Sequence, residues 1–218
     1  MARSRKQELS PSSYPSARLI EWFRQRSGII THYKRQIVLG SIVVGVCTIS
    51  GIAWAAWAQY RHSQGLEHFR AGLLAIELEE YDMAIAELTQ AEEVLDGESR
   101  GVAALHLGEV FEKSNQPGAA KAAYERVATF HDAGPYLKQI ALLRLGQGAE
   151  EAEEFEAATQ WYGEASRLDG PGKSEALLAL GEALERQGED IVPQAYFDLL
   201  EQFPDSPLAD IVRAKTEQ

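Results

Sequence analysis

The chain has 218 residues, enough for one or two domains, and a net charge of −12 that excludes nucleic acid as the partner of its acidic part, since phosphates need a basic face. Cys47 is the lone cysteine, so no internal disulfide forms and cysteine usage leaves the redox compartment open. No glycine-rich phosphate loop, Cys/His metal spacing or nucleophile–base pair stands in the sequence; neither an enzyme nor a cofactor or metal is expected.

The net charge hides a split. Up to Arg35, eight Lys/Arg face only Glu8 and Glu21; Gln36–Tyr60 carries no charge; the remainder holds 13 basic and 31 acidic residues, or −18. A basic arm, an uncharged block and an acidic domain belong in three different surroundings.

In chain order, residues 1–35 are expected to form a basic cytoplasmic tail. Within it Ser10–Ser16 is Pro/Ser-rich and expected to be irregular, while Ala17–Tyr33 sets Leu19, Ile20, Phe23 and Ile29–Ile30 among arginines, which suits a short helix on the inner leaflet. Residues 36–60 are expected to be a transmembrane helix, since 25 residues at ~1.5 Å each exceed the ~30 Å hydrocarbon core. Lys34–Arg35 abut its start and Trp54, Trp57 and Tyr60 crowd its end, which puts the N-terminus in the cytoplasm and everything after Tyr60 outside. The rival reading is a signal peptide cleaved after Ala56-Trp57-Ala58, against which stand the long basic region and the long apolar stretch. Ser41 and Gly45 either seat a second helix or reflect ordinary glycine usage in membrane helices.

From residue 61 to 218 the pattern turns amphipathic and repeats. Gly72, Gly108, Gly146 and Gly181 recur at spacings of 36, 38 and 35 residues, close to the ~34 of a helix-turn-helix tetratricopeptide (TPR) repeat. Twelve residues after each glycine a small residue is wanted, and Ala84, Ala120, Ala158 and Pro193 stand there. Sixteen after it a large one is wanted, given by Leu88, Tyr124, Tyr162 and Phe197; nineteen after it Ala91 and Ala165 comply, and Val127 and Leu200 do not. The expected fold is therefore all-α: one transmembrane helix, then a helical solenoid of four repeats (about 65–100, 101–138, 139–173 and 174–206) and a cap over 207–215. Pro117 suits the first turn of a helix, Pro193 implies a late start near Val192 in the last repeat, and Ser206-Pro207 opens a final helix, Leu208–Lys215.

Candidate sites are few. His68 and His106 fall within repeat helices, and the run Glu150–Glu156 reads as a solvated helix start. In TPR domains the groove is lined by first-helix side chains three before, one after and four after the glycine. Those rows are Phe69, Leu105, Leu143 and Leu178; Leu73, Glu109, Gln147 and Glu182; and Ile76, Glu112, Glu150 and Glu185. An apolar row flanked by carboxylates suits an apolar, basic segment of a partner. The alternative is that some of these leucines are buried between helices.

The stretch Trp22–Gly40, the unbroken passage from the span into Gln64–Leu78, and the ending Glu201–Lys215 resemble the YfgM-type ancillary subunits of the SecYEG translocon in bacterial inner membranes. The ending is also similar to TPR proteins of envelope assembly. The resemblance implies a single-pass inner-membrane protein with a periplasmic repeat domain, acting as an adaptor that binds translocon subunits, periplasmic chaperones or newly exported chains. The alternative is a scaffold for envelope assembly or cell division that works by homo-oligomerisation.

Overall fold

A computed structural model describes residues 15–188 and 193–216, with side chains described from Tyr33 onward except Ile37. Nine helices lie among the described residues: α1 (Pro15–Glu77), α2 (Tyr81–Val94), α3 (Gly97–Lys113), α4 (Pro117–Thr129), α5 (Pro135–Glu151), α6 (Phe155–Arg167), α7 (Lys173–Gln187), α8 (Gln194–Gln202) and α9 (Pro207–Thr216). Contacts divide the chain into two units, Met1–Trp57 and Ala58–Gln218.

In the first unit the expected irregular segment lies outside the described residues as far as Tyr14, and Pro15 and Ser16 open α1. The short surface helix expected over Ala17–Tyr33 is not a separate element, because α1 runs through it without a break. No proline stands between Pro15 and Pro117, and a lone glycine such as Gly28 costs a helix only about 1 kcal/mol. From Tyr33 the helix is long and apolar enough to cross a membrane, with a best window of mean hydropathy 2.1 and none of it buried. Its large side chains, Val44, Ile49, Ile52 and Trp54 among them, are exposed all round, as a helix solvated by lipid would be.

The second unit stacks helices pairwise. Each helix from α2 onward packs on the next, and the first helices of successive pairs also meet, α3 on α5, α5 on α7 and α7 on α9. The second helices of the first three pairs turn an alanine and a large residue four positions on inward, followed by Ala91, Val127 or Ala165: Ala84 and Leu88, Ala120 and Tyr124, Ala158 and Tyr162 are all buried, as are those three. The large residue lies on the paired glycine. A Cβ added to Gly72 would meet Leu88 Cγ at 2.7 Å, and one on Gly108, Gly146 or Gly181 would meet the Cε1 of Tyr124, Tyr162 or Tyr196 at 2.4, 2.3 and 2.2 Å. These close approaches require glycine.

The last pair departs from the expected register. Its large residue is Tyr196, fully buried, whereas Phe197 is 48 % exposed; likewise Leu199 is buried and Leu200 only partly. Pro193 is not a mid-helix residue but the N-cap of α8, because it lacks an N–H and its ring would clash inside a helix. The inward face consequently falls one residue nearer the glycine. Leu177, Ala209 and Val212 close this end, and Ser206 Oγ accepts from the Leu208 N–H at 3.3 Å to cap α9.

The turns within pairs repeat as closely as the core. Glu79, Asn115 and Glu153 have φ of 59°, 58° and 59°, and Gly188 has φ 94°; each stands seven residues after its glycine. In the first three, a Schellman motif ends the helix: Glu80 N–H to Ala75 O (2.9 Å), Gln116 to Phe111 (2.8 Å) and Glu154 to Ala149 (2.8 Å).

Between pairs, two polar clamps join neighbouring repeats. Arg126 donates to both oxygens of Glu92, at 2.8 and 2.9 Å, a bidentate geometry with Glu92 itself buried. Gln139, 1 % exposed, donates to the Ala165 and Leu168 carbonyls at 3.1 Å each and accepts from Gly172 N–H at 2.9 Å. Its amide thereby fixes the connection between α6 and α7.

Left-handed backbone costs a non-glycine residue roughly 1–2 kcal/mol, part of which glycine's own entropy takes back, so Glu153→Gly should stabilise the protein by about 0.5–1 kcal/mol. Gly188→Ala should destabilise it by a similar amount. Thermal melting of the full chain in detergent reads both; a lower midpoint for Glu153→Gly would contradict the left-handed turn.

Candidate functional site

The face carried by the stacked first helices holds the residues expected to line a groove, but sorts them differently. Leu105 and Leu143 are each 7 % exposed and belong to the core cluster that includes Ala141, Leu142 and Tyr162. Phe69 and Leu178 are half-buried, packed on the first and last core clusters. The apolar row is therefore mainly packing: a position three residues before the glycine faces the next helix pair, which covers it. Leu73 is half-buried, and Ile76 packs against the cluster of Leu88 and Ala84.

The carboxylate rows remain at the surface. Glu112, Gln147 and Glu185 are exposed, and Glu109, Glu150 and Glu182 are half-buried. They sit on α3, α5 and α7, the three first helices that stack on one another. Glu109 is held below the ordinary carboxylate value, chiefly by its hydrogen bond with His106 Nδ1 at 2.9 Å, with Arg144 adding to the effect. Burial pushes Glu112 the other way.

A device that the sequence rows did not anticipate recurs here. In the second, third and fourth pairs the glutamate four residues after the glycine stands beside the tyrosine that covers that glycine. In the third pair the Tyr162 hydroxyl donates to Glu150 Oε2 at 2.9 Å, while Arg186 of α7 donates to Glu150 Oε1 at 3.1 Å. In the fourth, Lys215 of α9 reaches Glu185 at 2.8 Å and Glu182 at 3.5 Å, and its Nζ lies 5.6 Å from the Tyr196 ring centre. In the second pair Glu112 stands beside Tyr124; the buried hydroxyls of Tyr124 and Tyr196 both lack a hydrogen-bond partner in ordinary geometry. In the first pair the same two places hold Ile76 and Leu88, an apolar pair for a polar one. The signal was in the sequence as a paired change, Glu with Tyr against Ile with Leu.

Burial raises all three phenols, that of Tyr196 to about 12 and those of Tyr124 and Tyr162 further. A cavity of about 420 Å³ opens between the end of α3, the start of α4, the second half of α5 and the start of α6, with Glu112, Tyr124, Arg144 and Trp161 in its wall.

No protein-family model and no curated protein sequence matches the chain. Among solved structures it is similar to YrrB, described as a TPR protein with an unusual peptide-binding site, at TM-score 0.51 and 19 % identity over 71 % of this chain and 75 % of that one. PilF of Pseudomonas aeruginosa aligns at TM-score 0.48 and 20 % identity, over 70 % and 68 % of the two chains. The likeness to YrrB shows the fold: the helix pairs form a TPR-type array.

Leu143→Ser should destabilise the array by on the order of 2–5 kcal/mol, since it removes a buried aliphatic side chain and buries a hydroxyl. Gln147→Ser, at an exposed position of the same helix, should leave the melting temperature nearly unchanged; equal melting of the two variants would return Leu143 to the solvent-facing row. A raised phenol pKa favours the neutral form in the folded state. The contribution is therefore complete below the ordinary value of about 10 and lost as pH rises above it. The urea midpoint should accordingly fall above about pH 10, and the fall should be shallower in Tyr162→Phe.

Proposed function

We propose that this chain is a membrane-anchored protein-binding module with no catalytic activity of its own. Residues 36–60 hold it in the bacterial inner membrane with the N-terminus in the cytoplasm, and the TPR-type array stands in the periplasm. There it takes up segments of other proteins, as an adaptor at the Sec translocon for translocon subunits, chaperones or exported chains. The observation that carries the reading is the ladder of carboxylates, Glu109, Glu112, Glu150, Glu182 and Glu185, on the stacked helices of a domain with 13 basic and 31 acidic side chains. Such a field speeds encounter with basic segments and repels acidic ones. The peptide-binding site named for YrrB and the resemblance to translocon subunits support the same choice.

Mild crosslinking in native membranes, followed by affinity capture of the full chain, tests it. The expected products join the chain to translocon subunits, chaperones or exported chains, and their yield falls as salt screens the field. Products made only of this chain joined to itself would favour a homo-oligomeric scaffold instead. A periplasmic reporter fused after Gln218 should be active; activity when it is fused near Gln36 would overturn the topology.

A further inference from the structure

Three of the helix pairs place a tyrosine hydroxyl beside a glutamate, and two of them close the pair with a cation supplied by the next helix. Arg186 Nη1 does so at Glu150, at 3.1 Å, and Lys215 Nζ at Glu185, at 2.8 Å. The second pair is built from the same parts but closed differently. The cation that the following helix offers there is Arg144, and its guanidinium turns to Gln147 at 3.2 Å and Glu109 at 3.9 Å. Glu112 takes part in none of the ion pairs formed among the described residues. Tyr124, 1 % exposed, stands against Glu112, and its hydroxyl, like that of Tyr196, makes no hydrogen bond of good geometry. Beside them lies the cavity of about 420 Å³, within the 300–1,000 Å³ typical of binding pockets.

From this internal comparison we infer that the crevice between the second and third helix pairs receives an arginine or lysine side chain of a bound polypeptide. The two sister sites show the chemistry: carboxylate, phenol and one cationic side chain. Trp161 also lines the cavity, and an indole there is a partner for both the aliphatic stem and the cation. Lys121 and Arg144 also line the cavity, but Arg144 is committed to Glu109 and Gln147, and the three carboxylates of Glu112, Glu151 and Glu154 outnumber the two cations. The negative charge of the domain favours the same occupant. This inference rests on the protein-binding reading above and narrows it to one side chain and one place.

The test uses the full chain in detergent and a fluorescent ten-residue alanine–serine peptide with one central arginine, beside counterparts with citrulline or glutamate there. The arginine peptide should bind best. Glu112→Gln should weaken it about tenfold, the worth of one hydrogen bond to a charged group, and leave the citrulline peptide unaffected. Glu93→Gln, an exposed carboxylate outside the cavity, should change neither, which separates a local contact from the general field. Gly118→Phe should block binding without touching a charge, because a Cβ on Gly118 meets nothing within 4 Å and Gly118 lines the cavity. Equal binding of the arginine peptide by wild type and Glu112→Gln, or preference for the glutamate peptide, would overturn the inference. Native-membrane crosslinking separates the two levels: undiminished partner capture by Glu112→Gln rejects only the crevice, whereas no partner captured by the wild type rejects the protein-binding reading itself.

Discussion

A side chain laid flat on a glycine sets the distance between the two helices of every repeat, and the rest of the array follows from that distance. Glycine inside a helix costs about 1 kcal/mol against alanine, yet here four helices carry one at the same place. The reason is steric, since Leu88, Tyr124, Tyr162 and Tyr196 occupy the space a Cβ would fill. Once the first and second helices touch there, small residues must follow on the second helix, and Ala84, Ala120 and Ala158 do. A solenoid sums its nearest-neighbour contacts, so an error in this distance would be repeated along the array.

The choice of the covering residue then decides the character of the surface. Leucine over Gly72 goes with Ile76, and the first repeat is apolar where the others are charged. Tyrosine brings a hydroxyl to the edge of the core and a glutamate stands beside it, a bond completed at 2.9 Å between Tyr162 and Glu150. In the third and fourth repeats that glutamate in turn draws a cation from the following helix. One packing decision in the core thus propagates outward through a phenol and a carboxylate to the ion pairs at the surface.

Three of the four repeats were legible in the sequence because their loops have one length and one turn conformation, so counting from the glycine lands on the right face. Counting failed in the fourth, where Pro193 delays α8 and Tyr196 replaces Phe197 as the buried ring. The groove was less legible than the fold. Periodicity reports which face of a helix a leucine occupies, but not how closely the next pair approaches that face. Leu105 and Leu143 were left between a groove row and burial between helices, and they lie in the core. The glutamates lie at the surface of the stacked helices, where charge keeps them wherever the helices settle. The cavity beside Glu112 was invisible, because residues from four helices, α3 to α6, line it, and spacing along one helix does not report how four of them meet.

Arrays of this kind are treated as strings of exchangeable beads, and the clamps between repeats set limits on that exchange. Gln139 belongs to the third repeat, but its amide satisfies the carbonyls that end α6 and the N–H that opens α7. Cutting the chain between the third and fourth repeats would leave a buried amide with partners missing on one side. The Arg126–Glu92 fork ties the first repeat to the second in the same way. The junction between the second and third repeats has neither clamp; its polar link is the longer Arg144–Glu109 contact at 3.9 Å. One apolar cluster, from Leu105 and Tyr124 to Leu143 and Tyr162, runs across that junction, so an exchanged repeat would have to match apolar shape there and a hydrogen-bond pattern at the other two.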